Sequence, residues 1–422
     1  MTSSGQFSNK LSISYPAPPR RVQEMLYQKK YFKSDRYILM VWLLLPILNW
    51  SIDFFKDRYN NYKIFKYVFW HLIDQSNLYL KYPGHHTDVN HYGPLFSIII
   101  APFAVTPDIV GCVLWGIFNV LMVYYAMVRL KLKQEYKILL MTLITIELGN
   151  AVWSNQFNPS VLALILLSFV CVEEEKDFYA GFWIMLGTFV KLYGIVGLVF
   201  FLFSKNKWKF IIGCATWSIL FFILPMAISS PSFVVQCYVD WFHALVEKNS
   251  SNVMLTTGQD ISLMGFVRRT LGDATISNNL FYAFGIPMVL APLVRFNQYK
   301  AKNFRILILS SLLMFIVLFS SSSEHSTYIV CITGVFLWMI TREEIFSKRN
   351  IILLVFLLVW TGLSPTDAFS VQVRKFCLNY ALKAVPCIVV WILLVKDLLL
   401  KDFNKPQPLR FLDQENLLNE IE

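Results

Sequence analysis

The chain has 422 residues and a net charge of +11, with 56% hydrophobic and only 15% charged residues, against roughly 25% charged in soluble globular proteins. Long apolar runs alternate with short charged connectors, which excludes a string of soluble domains and predicts an all-α polytopic bundle in a membrane. Lys and Arg sit in the connectors instead of on one basic face. That excludes a nucleic-acid partner and assigns the charge to membrane orientation and anionic lipid headgroups. The 7 cysteines lie mostly inside apolar runs without paired spacing, so neither a disulfide framework nor a zinc site is expected.

Residues 1–36 are polar and basic, and read as a cytoplasmic tail without a cleavable signal peptide. Apolar spans are then expected at 37–52, 95–128, 138–153, 160–172, 178–203 and 210–228, and further on at 280–294, 306–319, 327–340, 351–363 and 378–395. Several fall short of the roughly 20 residues that cross a bilayer, which predicts re-entrant pieces around a protein-lined cavity. Basic clusters such as Arg129/Lys131/Lys133/Lys137, Lys205/Lys207/Lys209 and Arg295/Lys300/Lys302/Arg305 all lie in the cytoplasm if 178–203 returns to its starting side. Gly187, Lys191, Gly194 and Gly197 near its middle suit a hairpin of two short helices. About 10 full spans plus this hairpin (12 helices with both arms counted) give one bundle over 37–400, in the plasma (inner) membrane. Both termini are cytoplasmic in this reading, 401–422 being the second tail. The outer loops are about 53–93 and 229–279.

The first outer loop holds Asp53, Asp57, Asp74 and Asp88 with His71, His85, His86 and His91. Within it Ile64, Phe65, Val68, Phe69 and Leu72 recur at helical spacing, as in an amphipathic helix lying in the interface with Trp70 as anchor. His85-His86-x-Asp88-x-x-His91 is not a ligand pattern that preorganises a metal, and no metal is expected. The turn Asn155-Gln156-Phe157-Asn158-Pro159 concentrates carboxamides, with Asn158 suited to an N-cap and Pro159 to the first helical position. Glu147 and Lys191 are charges inside apolar runs, which are functional candidates by default. Arg268, Arg269 and His325 fall on the far side with Lys191, and outward-facing arginines suit a phosphate.

In this order, Tyr92-Gly93-Pro94-Leu95-Phe96, Asn155-Gln156-Phe157-Asn158, Gly187-x-x-x-Lys191-Leu192-Tyr193 and Asp260-Ile261-Ser262-Leu263 resemble the C-type membrane glycosyltransferases of family 87, over roughly residues 37–340. Three positions depart from the usual family pattern: Asn155 stands where Gly is common, Gly194 where Pro is common, and Asn61, in the first loop, where an Asp is common. The resemblance implies a membrane hexosyltransferase of cell-envelope glycan biosynthesis. It would move a mannose-like sugar with inversion from a polyprenyl-phosphate donor to a glycan or glycolipid acceptor on the extracytoplasmic face. Asp57, Asp53 or Asp88 would be the catalytic base. Lys191 with Arg268 or Arg269 would bind the phosphate, and Gln156, Asn158, Tyr92 and His325 the sugar or phosphate. No P-loop or Gly-rich dinucleotide turn is visible, and no cofactor is expected. The alternative is a transporter or flippase of a lipid-linked or anionic solute, which broken helices and intramembrane charges would also serve; no internal repeat supports it.

Overall fold

The computed structural model describes residues 35–53, 58–255, 258–342, 344–364, 366, 368–405 and 411–412. Among these the chain is helical, with no strand and two isolated bridges, Tyr82–His86 and Leu132–Leu412. The first helix, α1 (Asp35–Asp53), has two unlike faces. Tyr37, Met40, Val41, Leu44, Ile47 and Leu48 form an exposed apolar stripe at 3–4-residue spacing, which water would not tolerate and lipid does. From its other face Trp42 Nε1 donates to Thr145 Oγ1 (2.9 Å) and Asn49 Nδ2 to the Val152 carbonyl (3.1 Å).

Helix α2 (Asn60–Ile73) forms where the apolar spacing predicts one. Its apolar face packs on protein, with Ile64, Phe65, Val68 and Leu72 buried and Trp70 36% exposed. Phe65 meets Tyr92, Phe96 and Trp115 edge-on at 5.0–5.9 Å between ring centres. The expected span 95–128 is two helices, α3 (Phe96–Ala104) and α4 (Asp108–Arg129). Pro107 at the head of α4 lacks the N–H to continue a helix and holds the preceding residue out of the α region.

Helix α5 (Gln134–Trp153) leads into α6 (Asn158–Glu173), which is buried on every side from Asn158 to Val172. A helix that is apolar all round belongs in the middle of a bundle. At 16 residues it is about 24 Å long, short of a ~30 Å hydrocarbon core.

The segment 178–203 is a hairpin. Helix α7 (Asp177–Val190) and a 3-10 arm, Leu192–Phe203, meet at Lys191, whose backbone is extended (φ −149°, ψ 116°). The arms cross with Gly187 backbone-to-backbone on Gly194; a Cβ on Gly194 would drive into Gly187 and Thr188. A Cβ on Gly197 would strike Ile184, as antiparallel arms require, and the Asn206 N–H beyond the hairpin donates to Asp177 at its start (3.0 Å).

The remaining helices are α8 (Lys207–Ile223), α9 (Pro231–Asn252), α10 (Leu263–Leu271), α11 (Asn278–Leu290), α12 (Lys302–Leu318) and α13 (Tyr328–Ile340). They are followed by α14 (Lys348–Leu357), α15 (Val371–Asn379) and α16 (Ala384–Leu400). Every residue of α13 is buried. Among the described residues three helical stretches, α4, α5 and α8 continued to Ala227, are long and apolar enough to cross a bilayer; α15 and α16, bent by 47°, make a fourth as one broken span. The apolar helices mark a membrane protein; by length and composition alone, three or four of the described helical stretches reach a full crossing, against the ten expected from the apolar runs. Short apolar helices such as α6 and α13 are sheathed by other helices.

Candidate active site

The hairpin apex carries Lys191 to one end of the bundle. There the Gly93 N–H donates to the Val190 carbonyl (3.0 Å), joining the Tyr92-Gly93-Pro94 turn to the apex. Only glycine fits at 93, because a Cβ would collide with the Phe189 carbonyl oxygen. Lys191 Nζ donates to Asn158 Oδ1 (2.7 Å) and lies over the rings of Tyr92 and Tyr193, at 5.4 and 5.1 Å. Asn158 Nδ2 donates in turn to Ser326 Oγ (3.0 Å), and Ser326 Oγ to Glu324 Oε1 (3.1 Å). Asn158 therefore does not cap α6 as expected: its fully buried side chain orients the ammonium instead.

Asn155 adopts φ +52°, in the left-handed region that glycine enters freely and asparagine enters more readily than other residues. Its carbonyl accepts from Trp115 Nε1 (3.0 Å) and its Oδ1 from Cys112 (3.1 Å). This turn presents Gln156, whose Oε1 accepts from the Tyr92 hydroxyl (3.1 Å).

Lys191 opens onto a cavity of about 620 Å³, within the roughly 300–1,000 Å³ typical of ligand sites. Its lining combines polar residues, among them Asp88, His91, Gln156, Lys248, Ser320 and Glu324, with apolar ones, among them Leu192, Ile195, Val196, Phe315, Ile316 and Phe319. Trp241 Nε1 ties α9 to the His91 carbonyl (2.9 Å), and Asn90 brackets Tyr92 with two 2.9 Å hydrogen bonds. Burial lowers the Lys248 pKa against the attraction of Glu324 and Asp88. His91 is pushed down to about 3 by burial and by Lys248 and Lys191. It is therefore neutral at ordinary pH, and its buried Nδ1 has no hydrogen-bond partner among the described residues.

Of the residues predicted from sequence, the cavity gathers Asp88, Tyr92, Gln156 and Lys191, with Asn158 directly behind the ammonium. Arg268 and Arg269 do not line it. Arg268 is 1% exposed and donates to Asp260 (2.8 Å), to the Ile276 carbonyl (2.9 Å) and to Asn278. Arg269 donates to the carbonyls of Leu378 (2.7 Å) and Gln259. These arginines lock the 259–278 loop. His325 faces a second, smaller cavity. Asp57 lies outside the described residues, as does the side chain of Asp53. Glu147 forms a buried ion pair with Lys383 instead of facing the site.

Glu324 and Lys248 are the cavity charges that sequence reasoning did not select. Glu324 adjoins His325, and only tertiary packing decides which of two neighbouring side chains faces which cavity. Lys248 sits near the end of α9, in a stretch expected from sequence to be an outer loop, where nothing in the spacing distinguishes it from a solvated lysine.

Residues 90–321 match the family model described as Glycosyltransferase family 87. The match spans the Tyr92 turn, the Asn155–Asn158 turn, the hairpin with Lys191 and the Asp260 loop. No curated protein matches the chain, and no solved structure does. Because the matched segment makes up more than half of the sequence, the chain belongs to glycosyltransferase family 87 and is a glycosyltransferase.

Proposed function

We propose that the enzyme transfers a hexose of the mannose type from a polyprenyl-phosphate donor to an acceptor hydroxyl, with inversion, on the extracytoplasmic face. The observation that carries this reading is the ammonium of Lys191, held by Asn158 without a carboxylate partner among the described residues, at a cavity lined by both polar and apolar side chains. A departing phosphate develops negative charge, and a preorganised cation in a water-poor site stabilises it far better than bulk water would. The apolar lining residues suit the donor's lipid. Leu192, Ile195 and Leu198 recur every three residues along the 3-10 arm and are 39–48% exposed; with three residues per turn they align on one face. This forms an apolar track beginning beside Lys191.

In the step itself, the acceptor oxygen attacks the anomeric carbon, the bond from that carbon to the phosphate oxygen breaks, and the acceptor proton passes to a carboxylate. Asp88 is the base candidate that lines the cavity; Asp53 and Asp57, earlier in the same loop, are its competitors. Gln156, Asn158 and Tyr92 position the sugar and the ammonium. The acceptor is a glycan or glycolipid.

The test is label transfer from radiolabelled polyprenyl-phosphate mannose and glucose to a mixed glycolipid pool, with purified protein in nanodiscs. Asp88→Asn, Asp57→Asn and Asp53→Asn are run alongside. One of the three should lose about 10²–10⁴ in rate while remaining folded, and Lys191→Met should lose transfer as well. Absence of transfer from either donor, or equal activity in all the Asp variants, refutes the reading.

A further inference from the structure

Helix α9 carries three stripes at 3–4-residue spacing, each offset from the last by one residue, about 100° around the axis. Trp241, Leu245 and Lys248 face the Lys191 cavity, in line with the buried Val234. One residue on, Val235, Val239, Phe242 and Val246 form an apolar stripe that is 46–64% exposed. One residue further, Gln236, Asp240, His243, Glu247 and Ser250 form a polar stripe, in which Asp240 accepts from Asn77 Nδ2 (2.9 Å). The helix is tied down along its length. Trp241 Nε1 donates to the His91 carbonyl (2.9 Å), Ser321 Oγ donates to Asn249 Oδ1 (2.5 Å), and Asn252 Nδ2 donates to Ser322 Oγ (3.2 Å). It therefore bridges the cavity from the His91 turn to the 321–322 turn, and its two outward stripes are fixed relative to the bundle.

Those stripes set the surroundings α9 requires. Its 22 residues give a length of about 33 Å, enough to cross a bilayer, but it is not apolar enough to do so. Asp240 and Glu247 would be costly in hydrocarbon, and the valine–phenylalanine stripe would be an exposed apolar patch in water. At the membrane surface both stripes are satisfied. The position agrees, because the crossing made by α8 ends at Ala227 and only residues 228–230 intervene before Pro231. At no more than about 3.6 Å per residue, α9 starts within about 14 Å of the end of that crossing. Ile219, Leu220, Ile223 and Leu224 are exposed on its last turns, so lipid covers the surface from which α9 departs. We propose that α9 lies along the membrane surface with Val235, Val239, Phe242 and Val246 among the acyl chains. The polar stripe holds no Lys or Arg, so apolar burial and not attraction to anionic headgroups seats the helix. Seated in this way, α9 sets the rim of the Lys191 cavity where a lipid-borne substrate arrives. That consequence rests on the proposed transfer reaction; the seating itself does not.

The test uses the full chain in phosphatidylcholine nanodiscs without substrate. The photoreactive residue p-benzoylphenylalanine replaces Val239, Phe242 or Val246 on the apolar stripe, or Gln236, His243 or Glu247 on the polar one, one position at a time. After irradiation, mass spectrometry measures lipid adducts and cross-linked protein dimers. All these positions are exposed, so the probe displaces no core contact, and three positions on each stripe keep the comparison if one variant does not fold. Lipid adducts should form several-fold more from the apolar stripe than from the polar one, with the same pattern when phosphatidylglycerol replaces half of the phosphatidylcholine. Equal labelling of the two stripes, or no lipid adducts from the apolar stripe, overturns the proposal. Dimers in place of lipid adducts would make a second copy of the chain the partner and overturn it too, as would adducts that need phosphatidylglycerol. The pattern is read without turnover, so a failed transfer assay leaves it untouched.

Discussion

Replacing Lys383 by Met tests whether the charge that sequence singled out in α5 is structural. Lys383 Nζ is 2.9 Å from both carboxylate oxygens of Glu147, and each side chain is 2% exposed. The same ammonium lies 4.8 Å over the Tyr328 ring and donates to the His325 carbonyl (3.4 Å). Removing one partner of such a pair leaves an uncompensated buried charge and typically costs about 3–5 kcal/mol, whereas replacing both by apolar residues of similar volume is often neutral or stabilising. The expected order is therefore Lys383→Met and Glu147→Leu each destabilised by about 3–5 kcal/mol, with the double variant near the parent. Thermal unfolding in detergent, followed by tryptophan fluorescence and size exclusion, completes the double-mutant cycle, and the coupling should reach several kcal/mol. Single variants as stable as the parent, or a double variant destabilised by the sum of the two, would refute the structural role. Glu147 would then return to the functional candidates.

Three further outcomes follow from the geometry. Asn155→Gly should preserve stability to within a few tenths of a kcal/mol, whereas Asn155→Ala, at φ +52°, should cost about 1–2 kcal/mol; equal melting curves for the two would contradict the left-handed turn. Gly194→Ala should destabilise the hairpin by about 1–3 kcal/mol and reduce transfer by displacing Lys191, while Gly258→Ala, with open space around it, should change neither. His71 is lowered from 6.5 to about 4, chiefly by burial and by the neighbouring His86 and His85. The unfolded chain thus binds the extra proton first, so stability is full above about pH 6.5 and falls as pH drops through 6.5 towards 4. His71→Phe should flatten that part of the melting-temperature profile, and an unchanged slope would show that other groups set it.

The sequence alone determined the helical membrane class, since apolar runs with charged connectors have no soluble solution. It made a hairpin over 178–203 one of two readings, since a lysine among glycines inside an apolar run suits a chain break, and the fold decided between the hairpin and a single span. Its motifs picked out the Tyr92, Gln156 and Lys191 segments through residue types that turns demand, such as Gly93 packed on a carbonyl and Asn155 at positive φ. The number of full crossings was not legible, because hydropathy does not distinguish a helix apolar towards lipid, such as α1, from one apolar towards protein, such as α6. The roles of Arg268 and Arg269 were misjudged for a related reason. Arg268, Lys191 and Lys383 are all cations in or near apolar surroundings, and only the fold assigns Asp260 to the first, Asn158 to the second and Glu147 to the third. Those partners stand 8, 33 and 236 residues away. Ion pairing is decided at distances of a few ångströms, and the segments that supply the partners are brought together only by tertiary packing.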